Sequence, residues 1–163
     1  MPLANPRLLN FLVFLACAAL LAFGLYLEHA EGLEPCPLCV VQRIEFIGVG
    51  LTCLVAAMHG PQRLGRRLYA GLTLLFGAAG IASAGRQICL LGLPPDQLPA
   101  CLPSLEYMME ALPFQDIVRL MLHGTADCAE VTWTLLGLSI PEWSLLAFVG
   151  FAAVALLQLL RRD

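Results

Sequence analysis

Lysine is absent from these 163 residues, and charge of either sign is scarce: nine arginines and 12 acidic residues make up 13% of the chain and leave a net charge of −3. A soluble domain carries about 25% charged and about 45–50% apolar residues. Here 60% are hydrophobic and the mean hydropathy is +0.82. So few charges cannot cover a soluble globule, which excludes a soluble domain, a disordered tail and a secreted disulfide miniprotein. With no basic patch of useful size, nucleic acid is excluded as a partner. Internal repeats, low-complexity tracts and a Gly-rich phosphate loop are missing too. The composition belongs in a lipid bilayer.

What the sequence has instead is long uncharged runs. A membrane span needs roughly 20 mostly apolar residues. Leu8 to Leu27, Leu68 to Gly85 and Trp143 to Leu160 are free of charge, and Phe46 to Met58 extends back through Glu45 and Arg43 to Val40. The expected architecture is an all-α, single-domain membrane four-helix bundle, with spans at about 8–27, 40–58, 68–86 and 143–160. The first window also invites reading as a signal peptide. Its apolar stretch is longer than the 7–15 residues usual there, and only Arg7 precedes it. It is read as a span.

Arginine fixes the orientation. Arg7, then Arg63, Arg66 and Arg67, then Arg161 and Arg162 fall on one side, while ten acidic residues from Glu28 to Glu142 fall on the other. Arginine excess marks the cytoplasmic side, so both termini are expected inside and the acidic loops outside. The first outer loop covers about residues 28–39. The second, about 87–142, is far longer than a connection needs, and such loops are usually functional. Within it, Ser104 to His123 mixes Met108, Leu112, Val118, Met121 and Leu122 with charged residues. That pattern suits short helices lying on the membrane surface or packed on the bundle top.

Seven cysteines are sorted by this topology. Cys17 and Cys53 fall inside spans, where cysteine acts as a small hydrophobe. Cys89, near the outer end of the third span, is read as packing. Cys36, Cys39, Cys101 and Cys128 fall in the outer loops, in a compartment where disulfides persist. Four cysteines allow three pairings. Cys36-Pro-Leu-Cys39 has the spacing of thiol–disulfide oxidoreductases, and so small a ring suits exchange better than stapling. Cys101 and Cys128 enclose 26 residues. A bridge there fits a redox pair or a loop staple worth about 3–4 kcal/mol. Structural zinc wants two such close pairs, and only one exists.

Cys39 stands where the second helix begins, and Arg43 follows four residues later on the same face. A helix N-terminus and a nearby cation both favour a thiolate. An arginine at the membrane boundary is costly unless paired or functional. Snorkelling to the interface or pairing with Glu45 would be the plain explanations, but residues i and i+2 point apart. Arg43 is therefore a candidate for holding a polar group of a ligand lying against Cys39. A lipid-soluble electron acceptor is the economical choice. A quinone carbonyl could take the guanidinium hydrogen bonds, and Cys39 as thiolate would supply electrons.

These residues resemble the disulfide-bond formation protein B (DsbB) family over nearly the whole chain. The marks are Cys36-Pro-Leu-Cys39 with Gln42-Arg43, the Gly85-Arg86 pair expected to end the third span, and the run from Leu93 to Cys101 (LPPDQLPAC). Asp127-Cys128-Ala-Glu130 and the run from Leu136 to Trp143 (LGLSIPEW) complete the likeness. The resemblance implies a bacterial inner-membrane enzyme that reoxidises a periplasmic DsbA-like thioredoxin-fold oxidase and passes electrons to the quinone pool, ubiquinone or menaquinone. It implies redox disulfides Cys36–Cys39 and Cys101–Cys128, with Cys101 forming the mixed disulfide with the oxidase. Cys39 and Arg43 would flank the quinone. The family often has His after the arginine of the third span, where this chain has Gln87, so Arg86 and Gln87 enter as further quinone-site candidates. Rival readings are a quinone-linked reductase of the vitamin K epoxide reductase type, whose CxxC is expected near a later helix, and a membrane protein whose disulfides only brace loops.

Overall fold

The computed structural model describes residues 5–33, 35–98, 110–131 and 133–161. Four long helices form the bundle: α1 (Pro6–Ala30), α2 (Pro37–His59), α3 (Arg63–Leu91) and α5 (Ile140–Leu160). A short helix, α4 (Phe114–His123), and a two-stranded hairpin, β1 (Thr134–Leu135) with β2 (Leu138–Ser139), lie between α3 and α5. Each long helix is long and apolar enough to cross a membrane.

The helix ends follow local chemistry. Asn5 caps α1 by accepting from the Arg7 N–H at 3.0 Å, with Pro6 in the first turn. Pro37 opens α2, and Gly60 closes it in the left-handed conformation. Ser139 and Glu142 form a capping box at α5, with Pro141 in the first turn. Proline at the first turn has no hydrogen bond to lose.

Every span runs beyond its expected limits, because polar residues cap or extend helices that hydropathy alone cuts short. Glu28, expected in the first loop, lies on the last turns of α1. The third span does not end at Gly85-Arg86; it continues to Leu91, which puts Arg86 and Gln87 inside α3.

The core is a seam through the bundle. Val13 and Cys17 of α1, Phe46, Val49 and Cys53 of α2, and Phe148 and Phe151 of α5 are buried together. Phe46 and Phe148 stack at 4.1 Å between ring centroids. Helices α3 and α5 approach closely because of Gly80: a Cβ there would lie 2.4 Å from the Phe148 ring. Small residues serve membrane helix contacts in this way. Leu12, Leu51, Leu75 and Leu157 point outward, a surface only hydrocarbon would solvate well. Cys17 and Cys53 are buried as expected, whereas Cys89 is exposed on α3 and does not pack in the core. On α4 only Ile117 is buried, while Phe114, Val118 and Leu122 are exposed, an outward apolar stripe suited to a membrane surface.

Candidate functional site

Helix α2 begins on a cysteine. Cys36 is its N-cap, and its sulfur accepts from the Cys39 N–H at 3.4 Å. The same turn brings the two sulfurs to 2.9 Å, with the Cys36 thiol donating to Cys39. Both are free cysteines.

Cys128 reaches this pair from the second loop. It sits in a short 3₁₀ turn, Ala126–Ala129, fully buried against Leu38 and Leu90. Its sulfur interacts with that of Cys36. Cys36 thus stands between Cys39 and Cys128. Thr125, also buried, places its hydroxyl 3.9 Å from the Cys128 sulfur and donates to Asp127 at 3.2 Å.

This contact divides the charge. The Cys128 thiol is pulled down to about 6, first by the hydrogen bond from Cys36; burial opposes, and the Leu38 and Thr125 backbones and the Thr125 hydroxyl add to the lowering. Cys36 is pushed well above the ordinary thiol range, first by its contact with the Cys128 sulfur, then by that with Cys39 and by its burial. The arrangement favours the thiolate on Cys128 and the proton on Cys36. In the reduced protein, alkylation of Cys128 should therefore reach half its maximal rate near pH 6 and fall below it as the thiolate is protonated. An unperturbed thiol titrates at about 8.5. Replacing Cys36 by Ala should move the Cys128 midpoint upward; an unmoved midpoint in a pH series would refute this account.

Position in the second loop is set from α3. Arg86 donates through Nε to the His123 carbonyl at 3.2 Å, holding the end of α4 over the bundle. Arg86 is thus a loop anchor in this geometry and lies outside the apolar groove described next.

That groove, of about 350 Å³, lies between α1, α2 and the start of α5. Leu20, Phe23, Leu27 and Phe46 make it apolar; Cys39, Gln42 and Arg43 form its wall on α2; Trp133 and Trp143 flank it. Trp133 meets Phe23 edge-on at 5.4 Å, and the Trp143 indole donates to the Leu135 carbonyl at 3.1 Å. Arg43 pairs with Glu28 at 2.5 Å and donates to the Gly24 carbonyl at 3.3 Å. The pairing with Glu45 considered from the sequence does not form; Glu45 instead accepts from Ser83 at 2.6 Å. Glu28 could not be found from spacing, since it reaches Arg43 from another helix.

Gln87 also lies outside the groove lining. Its amide touches the sulfurs of Cys36 and Cys39, and they line a smaller hollow of mixed polarity with Asp127 and Glu130. Gln42, which the sequence reading quoted only as part of a motif, bonds Gln87 at 2.8 Å. Its position three residues after Cys39, on the same helix face, was the available signal. Cys101 and its expected bond to Cys128 lie outside the described residues.

Comparison with known proteins decides the family. A family model described as "Disulfide bond formation protein DsbB" matches residues 6–158. The chain belongs to the DsbB family. "Disulfide bond formation protein B" of Stutzerimonas stutzeri is 67% identical over 163 residues, covering 100% of both chains. "Disulfide bond formation protein B 1" of Pseudomonas aeruginosa is 62% identical over 162 residues, 99% of each chain. A Hahella chejuensis relative of the first name is 52% identical, covering 96% of this chain and 94% of its own. Membership in DsbB makes the chain a multi-pass membrane protein of disulfide bond formation, and sets aside the vitamin K epoxide reductase reading.

Proposed function

We propose that the protein is a thiol–quinone oxidoreductase of the bacterial inner membrane. It reoxidises a periplasmic DsbA-like thioredoxin-fold oxidase and passes the electrons to ubiquinone or menaquinone, generating disulfides for periplasmic protein folding. One observation carries this reading: Cys39 touches the sulfur cluster and also lines the apolar groove beside Arg43. The arginine distribution supports a cytoplasmic position for both termini and a periplasmic one for the sulfurs.

The groove fits a quinone. Its volume is within the range of small-molecule sites, about 300–1,000 Å³. A guanidinium has five N–H donors, so Arg43 retains capacity beyond Glu28 and Gly24. Quinone would supply a lipid-soluble acceptor for two electrons and two protons.

The chain's own residues supply the exchange steps. The reduced oxidase attacks Cys101, and Cys128 leaves as a thiolate. Cys128 attacks Cys36; the Cys128–Cys36 bond forms, the Cys36–Cys39 bond breaks, and its electron pair stays on Cys39. The second thiol of the oxidase then displaces Cys101, which attacks Cys128 and releases Cys36. The oxidase departs as a disulfide, and the Cys36–Cys39 dithiol holds its two electrons. Each exchange needs a thiolate and an accessible sulfur.

Arg43→Ala tests the acceptor end. Removing a charge-assisted hydrogen bond worth about 1.5–3 kcal/mol should raise the quinone KM by roughly tenfold to a hundredfold. KM for the oxidase should stay near its original value. Unchanged quinone kinetics would remove Arg43 from the site.

A further inference from the structure

The Gln42–Gln87 pair is the polar feature beside the sulfurs that the relay leaves unused. Both side chains are buried, at 3% and 5% exposure, between α2 and α3. The Gln87 Nε2 lies 3.4 Å from the Cys36 sulfur and 3.5 Å from the Cys39 sulfur. Its Oε1 accepts from Gln42 Nε2 at 2.8 Å and lies 3.9 Å from the Cys39 sulfur.

We propose that Gln87 is a catalytic residue of the Cys36–Cys39 dithiol, donating to the sulfur that becomes a thiolate, and that Gln42 is the positioning residue that keeps the donor end of Gln87 turned toward sulfur. The proposal rests on the thiol–quinone reading and deepens it. When Cys128 displaces Cys39, the electron pair of the broken bond comes to rest on a sulfur within reach of Nε2. A hydrogen bond to a charged acceptor is stronger than one to a neutral acceptor, so the contact gains as the charge develops. When Cys39 carries a proton, its S–H faces Oε1 instead. An uncharged amide thus serves both protonation states without titrating.

The locking contact is what makes this more than helix packing. A glutamine amide can flip, which would turn Oε1 toward the thiolate and repel it. Oε1 is held by the Gln42 donor, so with Gln42 in this orientation the flip would oppose two donor groups to one another.

The test uses full-length, quinone-depleted protein in lipid nanodiscs, reduced and then alkylated with iodoacetamide, reading Cys39 by fragment mass spectrometry. Gln87→Leu should slow Cys39 alkylation at pH 7 by about tenfold, the loss of one charge-assisted hydrogen bond. Gln42→Leu should slow it less, and the double variant should be no slower than Gln87→Leu, because Gln42 acts through Gln87. Gln87→His, which keeps a donor, should restore most of the rate. With quinone present, kcat should fall in Gln87→Leu while the quinone KM stays within about twofold. Unchanged alkylation in a Gln87→Leu protein of native helicity and Tm overturns the proposal. So does a raised quinone KM at constant kcat, which would assign Gln87 to the quinone. Alkylation needs no acceptor: if wild-type protein reduces no quinone but the Gln87 effect persists, the function reading fails and this one stands.

Discussion

Serine at Cys39 should reduce quinone turnover to background whether electrons come from the reduced oxidase or from a small dithiol. Serine at Cys101 should abolish turnover only with the oxidase. Cys39 is the sulfur shared by the cluster and the groove, and no other cysteine among the described residues lines that groove. Oxygen in its place cannot form the Cys36–Cys39 bond, so both donors lose their path. In the proposed relay Cys101 acts earlier, at docking of the oxidase, and a small dithiol can attack Cys36–Cys39 directly. The measurement is steady-state absorbance of the quinone with each donor. Residual dithiol-driven turnover in Cys39→Ser would show that electrons leave by another sulfur. Loss of the small-dithiol activity in Cys101→Ser would show that the two pairs are not in series.

That ordering was only partly legible in the sequence. The spans were, because uncharged runs in water-soluble proteins are short and the arginine asymmetry is independent of hydropathy. Their ends were not: caps such as Cys36 and Ser139 with Glu142 lie in polar sequence, and α3 carries Arg86 and Gln87 past the point where apolar residues thin out. The CxxC motif showed Cys36 with Cys39 because the pair is local. The approach of Cys128 to Cys36 joins residues far apart in the chain, and no periodicity encodes it. The same limit hid Glu28, which meets Arg43 across two helices, and the contact of Gln87 with the sulfurs. The family pattern made Gln87 a quinone-site candidate; the structure shows its amide turned toward Cys36 and Cys39.

Gly124→Ala should slow electron transfer from the Cys101–Cys128 pair to the Cys36–Cys39 pair severalfold, and at most roughly thirtyfold, while leaving small-dithiol turnover almost unchanged. Gly124 follows α4 with φ at +77° and ψ at 168°, a region essentially reserved for glycine and costing about 1–3 kcal/mol for other residues. Space compounds the strain. A Cβ at Gly124 would lie 2.6 Å from Leu90 Cδ1 and 2.9 Å from Leu38 Cδ1, the two side chains on which Cys128 is buried. The ends of Leu90 and Leu38 can yield part of the space, but the backbone strain is relieved by lifting the turn, which takes Cys128 away from Cys36. A shift of about 2 kcal/mol lowers the ratio of docked to lifted loop by roughly thirtyfold, which is the ceiling on the loss of rate. Arg86→Ala should act in the same direction and more weakly, since one hydrogen bond to the His123 carbonyl is lost and the backbone at Gly124 is untouched. The two effects are measurable in one stopped-flow series with reduced oxidase as donor. If Gly124→Ala slowed both donors equally, the damage would lie in the bundle itself, and the close fit of this turn over Leu38 and Leu90 would not be what brings the two cysteine pairs together.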